Sequence, residues 1–201
     1  MKYNYVFHTF SCHCHCWFHF CESLTGQLLP IFLTLLTPLQ LWQTDAVPGT
    51  CGDPRSALPL LTAYSMAGGD HFYTTSVTEH QDAVAKLGYA YQVGTSGYIF
   101  PSQEPHTVPL YRMYASSSVD HFYTIDVVER AYAIRGVGYA DEGIAGYVYA
   151  DTACGAVPVY RLYSDNVTDH FYTTSDAEKN NAINNLTYHL EGVNAFYILP
   201  F

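Results

Sequence analysis

The sequence predicts a mostly β fold with short helices, an α+β class, in which three pseudo-symmetric repeats close on one core. Three observations carry this. Asp70-His71-Phe72-Tyr73-Thr74 recurs as Asp120-His121-Phe122-Tyr123-Thr124 and as Asp169-His170-Phe171-Tyr172-Thr173, at offsets of 50 and 49 residues. Other features keep the same register: Pro59, Pro109 and Pro158 open the copies, Tyr64, Tyr114 and Tyr163 precede the Asp, and Glu79, Glu129 and Glu178 follow it, as do Tyr89, Tyr139 and Tyr188. The composition, with 16% aromatic and 13% charged residues and 19 Tyr, is that of a β-rich globular chain, not of a disordered one. A unit this short cannot bury its apolar face alone, so neighbouring copies must share a core. The repeats span about 59–108, 109–157 and 158–201. A β-trefoil-like closure is expected, with a small propeller-like ring as the alternative; spacing does not separate the two.

Each repeat reads in the same order. After the Pro opener, Leu110-Tyr111-Arg112-Met113-Tyr114 alternates and is rich in β-formers, which makes it a strand. Residues 115–119 form a turn and His121 to Thr124 a second strand. Ser76, Asp126 and Ser175 each stand three residues before Glu79, Glu129 and Glu178, the spacing of a capping box at a helix start. The inner face of that helix is expected to be Ala83, Val84 and Leu87, then Ala133, Ile134 and Val137, then Ala182, Ile183 and Leu186. Gly88 and Gly138 mark its end. Two further short strands follow, one near Tyr139 and one at Tyr147-Val148-Tyr149.

The first 45 residues differ. No charge occurs from Ser23 to Thr44, and Leu28–Trp42 is an apolar run broken by Pro30 and Pro38. It is too short and too interrupted for a membrane span and suits a signal peptide, preceded by an odd amino-terminal extension. The domain division is therefore 1–45 as signal and extension, and 46–201 as one three-repeat domain. Cys12, Cys14 and Cys16, interleaved with His13 and His15, lack the C-x₂-C pairing of structural zinc sites, and processing would remove them, so no metal is expected. The remaining Cys51 and Cys154 then form a natural disulfide pair in an exported chain. Both Trp residues, Trp17 and Trp42, fall in the removed segment, which leaves no ricin-type Q-x-W signature.

The formal net charge of −10, from 18 acidic and 8 basic residues, excludes a nucleic-acid or polybasic membrane partner. No nucleophile elbow, HExxH helix, phosphate loop or dinucleotide fingerprint occurs, so no catalytic residue and no cofactor is expected. The Asp–His pairs could suggest acid–base chemistry, or a three-His metal site made by His71, His121 and His170. Residues repeated in every copy serve the repeat's architecture first, however, and the three Glu are accounted for as caps. Tyrosine offers a flat ring for sugar stacking and a hydroxyl for its rim. The expected ligand-binding residues are Arg112, Tyr114, Asp120, His121 and Tyr123 in copy two, and Arg161, Tyr163, Asp169, His170 and Tyr172 in copy three. Asn166 and Asn185 head N-x-T sequences that fit glycosylation.

These motifs (Pro-Leu-Tyr-Arg-x-Tyr, Asp-His-Phe-Tyr-Thr, Gly-Tyr and Glu-Gly-Ile-Ala-Gly-Tyr) resemble an uncharacterised repeat family, a domain of unknown function, found in secreted fungal proteins and as modules attached to bacterial hydrolases. The resemblance covers about residues 51–201 and implies secretion and an accessory or binding role. Copy one departs from the pattern, with Thr62 in place of Arg112 and Arg161, and Gln92 in place of Glu142 and Glu191. The expected function is a secreted, non-catalytic, lectin-like module for cell-wall or surface carbohydrate. A small extracellular hydrolase would instead need one deep asymmetric pocket, and a structural or protein-interaction domain a flat apolar patch.

Overall fold

The computed structural model describes residues 51–89 and 91–200, and leaves undescribed the side chains of residues 91–93, 193 and 194. The expected signal peptide and the Cys12–Cys16 tract lie outside the described residues. Each repeat is an antiparallel hairpin, a helix and a returning strand. The first has β1 (Leu58–Ser65), β2 (Asp70–Thr74), α1 (Val77–Lys86) and β3 (Tyr91–Ile99). The second has β4 (Thr107–Ala115), β5 (Asp120–Thr124), α2 (Val127–Tyr132), which continues as a π-helical turn over Ala133–Val137, and β6 (Ala140–Tyr149). The third has β7 (Val157–Ser164), β8 (Asp169–Thr173), α3 (Asp176–Asn185) and β9 (His189–Ile198). The first strand of each repeat lies between the other two, with Tyr64 opposite His71, Tyr114 opposite His121 and Tyr163 opposite His170.

Three local expectations need correction. The returning segment is one long strand, not two short ones, because Gly94 and Gly143, at φ of 109° and 85°, bend it through bulges without ending its pairing. The prolines lie within the first strands, paired with Tyr98, Tyr147 and Tyr197, instead of opening them. Of the expected inner-face residues only Ala83, Ala133 and Ala182 are buried, with His80 buried beside Ala83 on α1; Leu87, Val137 and Leu186 are exposed. The small alanines let each helix lie close on its own hairpin, and this turns the larger residue four positions on toward the neighbouring repeat.

The sheets, one of three strands and one of six, do not close into a barrel. The repeats are joined cyclically by two other devices. The ends of the returning strands bridge in turn, Tyr98 with Leu199, Phe100 with Tyr147, and Tyr149 with Tyr197. Inside, Tyr73, Tyr123 and Tyr172 pack edge to face at 5.5–5.6 Å. The Tyr123 hydroxyl accepts from the Tyr73 backbone N–H at 2.9 Å and donates to its carbonyl at 2.7 Å. Tyr172 does the same for Tyr123, and Tyr73 for Tyr172. Three buried strand centres that have no backbone partner on their free side are thereby satisfied by side chains. Leu60, Leu110 and Val159 fill the core beside them.

Cys51 and Cys154 form the expected disulfide, with Cα atoms 5.7 Å apart. It ties the segment before β1 to the connection between β6 and β7, and closing a loop of 103 residues contributes about 4–5 kcal/mol in the chain-entropy account. Among the described residues no helix is long and apolar enough to cross a membrane.

Candidate functional site

The Asp that opens each inner strand reaches into the next repeat. Asp70 accepts from the His121 backbone N–H at 2.8 Å and from its Nδ1 at 2.6 Å; Asp120 does so with His170 at 2.9 and 2.8 Å, and Asp169 with His71 at 2.8 and 2.6 Å. The second oxygen of each Asp also accepts the hydroxyl of its own repeat's tyrosine, Tyr89, Tyr139 or Tyr188. Burial and the adjacent carboxylate hold these three phenols far above the ordinary tyrosine range. All three Asp are 0% exposed, and one oxygen of each lies within 4.8 Å of the others. It is thus the aspartates that converge, while the histidines run outward into the clefts between repeats. Each carboxylate already accepts three hydrogen bonds.

A cleft opens along each boundary. The one between repeats one and two holds about 390 Å³ and is lined by Phe72, Tyr89, Arg112, Tyr114, His121 and Leu87. Phe122, Tyr139, Arg161, Tyr163, His170 and Val137 build its counterpart of about 270 Å³ between repeats two and three. Between repeats three and one, about 410 Å³ is lined by Tyr64, His71, Phe171, Glu178, Leu186 and Tyr188. The histidine ring lies between tyrosine and phenylalanine in every cleft, with centroids 4.4–4.9 Å away.

Two clefts carry a built-in ion network. Arg112 donates to both oxygens of Glu79, at 2.8 and 3.2 Å, and Arg161 to both of Glu129, at 2.8 and 3.0 Å. Each guanidinium also covers the neighbouring phenylalanine, 5.3 Å from the Phe72 centroid and 5.1 Å from that of Phe122. Glu142 lies 2.8 Å from Arg112 Nε, and Glu191 3.1 Å from Arg161 Nε. Those two buried N–H groups point off line and make no hydrogen bond. Burial would lower the guanidinium affinities for their protons, but the flanking glutamates more than offset it. Glu191 is held below the usual carboxylate range, chiefly by His170. Burial would likewise depress His170, yet Asp120 and Glu191 together push it up to about 9.

The Glu79, Glu129 and Glu178 side chains therefore do not complete capping boxes. Ser76, Asp126 and Ser175 do cap the helices. Their own backbone N–H groups, however, donate to Thr74, Thr124 and Thr173. The glutamates instead accept those threonine hydroxyls, and in two repeats they also hold the next repeat's arginine. This inter-repeat role was missed in the sequence, where Thr74 and its equivalents read only as strand ends.

The expected ligand residues divide accordingly. Asp120, Asp169, Tyr123 and Tyr172 are at most 3% exposed and committed to the centre, which leaves them no surface for a ligand. Arg112 and Arg161 reach clefts, but their forks are spent on glutamate. Tyr114 and Tyr163 line clefts half-buried, and His121 and His170 are buried at the cleft floors. Asn166, in the turn before β8, and Asn185, at the end of α3, are both exposed. Gly94 faces Thr62 as Gly143 faces Arg112 and Gly192 faces Arg161, so Val93, not Gln92, stands where the other repeats have Glu142 and Glu191. Both of those side chains lie outside the described residues.

The model of a family described as a domain of unknown function (DUF5648) matches residues 59–199, and the chain belongs to that family. No curated protein and no solved structure matches it.

Proposed function

We propose that this member of the family is a secreted, non-catalytic binding module that takes cell-wall or surface carbohydrate in the clefts between its repeats. The observation that carries the reading is the repetition of one amphipathic cleft three times. Each has a half-buried tyrosine wall, an apolar rim at Leu87, Val137 or Leu186, and polar groups at its floor. Volumes of 270–410 Å³ fall near the lower end of ligand pockets, about 300–1,000 Å³, which suits one or two sugar rings per cleft. Weak sites in triplicate serve a polymeric or clustered glycan through avidity.

The same geometry supports the non-catalytic part of this reading. The repeated Asp–His pairs are tied across repeats, and Glu79, Glu129, Glu142 and Glu191 are paired with arginine, so among the described residues of two clefts no carboxylate stands free to act as base or nucleophile. The disulfide supports export, since such bonds persist in oxidising compartments. For the closure, the ring reading is favoured over the trefoil. A trefoil centres on a closed barrel, whereas here three hairpins meet through tyrosine hydroxyls. Binding of the purified protein to a glycan array tests the function. Retention on a defined polysaccharide, weakened by Tyr114→Ala or Tyr163→Ala in a folded variant, is the expected result. Silence across the array together with turnover of a glycan substrate would replace the reading with a hydrolase.

A further inference from the structure

We propose that the cleft between repeats three and one is a receptor for an external guanidinium, the group that the other two clefts carry as Arg112 and Arg161. The cavity adjoins the third carbohydrate cleft and shares Phe171 and Glu178 with it, but it calls for a charged ligand, so its test is read independently of carbohydrate binding.

The argument is an internal comparison. In the first two clefts three parts fit together: a phenylalanine ring, a glutamate held by a threonine hydroxyl, and a guanidinium that lies over the ring and forks onto the carboxylate. Repeat three supplies the ring, Phe171, and the carboxylate, Glu178, which accepts Thr173 Oγ1 at 2.5 Å as its counterparts accept theirs. Repeat one should supply the guanidinium and has Thr62 instead. The Thr62 hydroxyl pairs with that of Ser96, 2.7 Å distant. A cavity of about 110 Å³ remains, lined by Thr62, Thr95, Ser96, Phe171, Thr173 and Glu178.

Burial reports the same vacancy. Phe72 and Phe122 are 4% and 6% exposed under their arginines, whereas Phe171 is only half-buried. Glu79 and Glu129 are half-buried and Glu178 is exposed. Among the described residues the Glu178 carboxylate has one hydrogen-bond partner, Thr173. The His71 ring already covers one side of Phe171, at 4.6 Å, as the equivalent histidines do in the other clefts. An aromatic face beside a carboxylate with a free oxygen is the chemistry that recognises a planar cation. A guanidinium satisfies both parts, by stacking and by a bidentate pair, whereas an ammonium offers only a point charge. The ligand class is therefore a guanidinium carried by a small molecule or by an arginine side chain of a peptide.

The test is calorimetric titration of the whole protein with N-acetyl-arginine amide, with the neutral citrulline analogue and the lysine analogue as controls. Saturable binding of the arginine compound is expected, with the lysine compound weaker and the citrulline compound silent. Glu178→Gln should weaken binding by about tenfold or more. Thr62→Arg should place a guanidinium in the cavity from within, abolish binding and raise the melting temperature. Free arginine binding as well as the blocked compound would indicate a small-molecule ligand, and loss of binding with free arginine a peptide one. Equal binding of the citrulline compound, undiminished binding in Glu178→Gln, or no binding by the unaltered protein would each overturn the proposal, whatever the glycan array shows.

Discussion

Around the centre of the molecule the three repeats carry the same side chains: Asp70, Asp120 and Asp169, three histidines, and Tyr73, Tyr123 and Tyr172. In the clefts a few ångströms outward they differ, with Arg112 and Arg161 against Thr62. The contrast follows from what each contact closes. A central Asp satisfies buried groups of the next repeat, so its loss opens two repeats at once and leaves unpaired donors where water does not reach. A cleft arginine pairs with glutamate at a partly wet surface, and where it is missing, solvent can cover the carboxylate. Cyclic closure therefore demands identity at the centre and tolerates divergence at the boundaries, where binding differences can arise.

The comparison is broken most sharply at Asp120. Asp120→Asn leaves both His170 and Tyr139 without their charged acceptor at a site that is 0% exposed. The expected cost is about 3–5 kcal/mol, read from urea unfolding. A loss below about 1 kcal/mol would show that the centre is as tolerant as the clefts.

A pH series probes the link between the two regions through His170. Its proton affinity in the folded chain lies near pH 9, above the ordinary value of 6.5. A raised affinity stabilises the fold fully below pH 6.5, and that contribution is lost as pH rises through 9. Unfolding free energy should fall by about 2–3 kcal/mol between those limits. Glu191→Gln removes one of the two carboxylates responsible and should move the midpoint of the loss to lower pH. A flat profile over this range would mean that His170 is neutral in the fold.

The smallest effect separates the clefts from one another. Glu129→Ala strips both fork partners from Arg161 and should cost about 1–3 kcal/mol. Glu178→Ala removes only the threonine contact and should stay within about 0.5 kcal/mol. Equal losses from thermal or urea unfolding would mean that the glutamates act on their own helices and not across the repeat boundary.

The hairpins, the helix starts and the disulfide were legible in the sequence because they rest on local alternation, on cap spacing, and on a cysteine count that left one pair. The β-favouring residues of β4 and β7 and the Ser or Asp caps depend on residues at most a few positions apart. The continuous returning strands were not legible, since Glu-Gly at 142–143 reads as a turn until the opposite strand shows it to be a bulge. Nor was the role of Glu129 legible: its cap spacing is real, but its partner lies 32 residues away in the next repeat. Leu87, Val137 and Leu186 followed the helical period and yet face the clefts, because the close approach of the alanines sets the helix rotation.

By itself the sequence determined that there are three units, that each opens with two strands and a helix, and that Cys51 pairs with Cys154. Repetition, periodicity and composition act within one unit, so one unit suffices to read them. Only the tertiary structure decided which repeated residues are spent on closure and which remain at a surface. Tyr123, Asp120 and Arg112 resemble ligand residues when read in one repeat. They are used up because the neighbouring repeat supplies a backbone amide, a histidine and a glutamate at hydrogen-bonding distance. The emptiness left by Thr62 likewise exists only by reference to Glu178 and Phe171, more than 100 residues away and brought to the same boundary when the chain closes on itself.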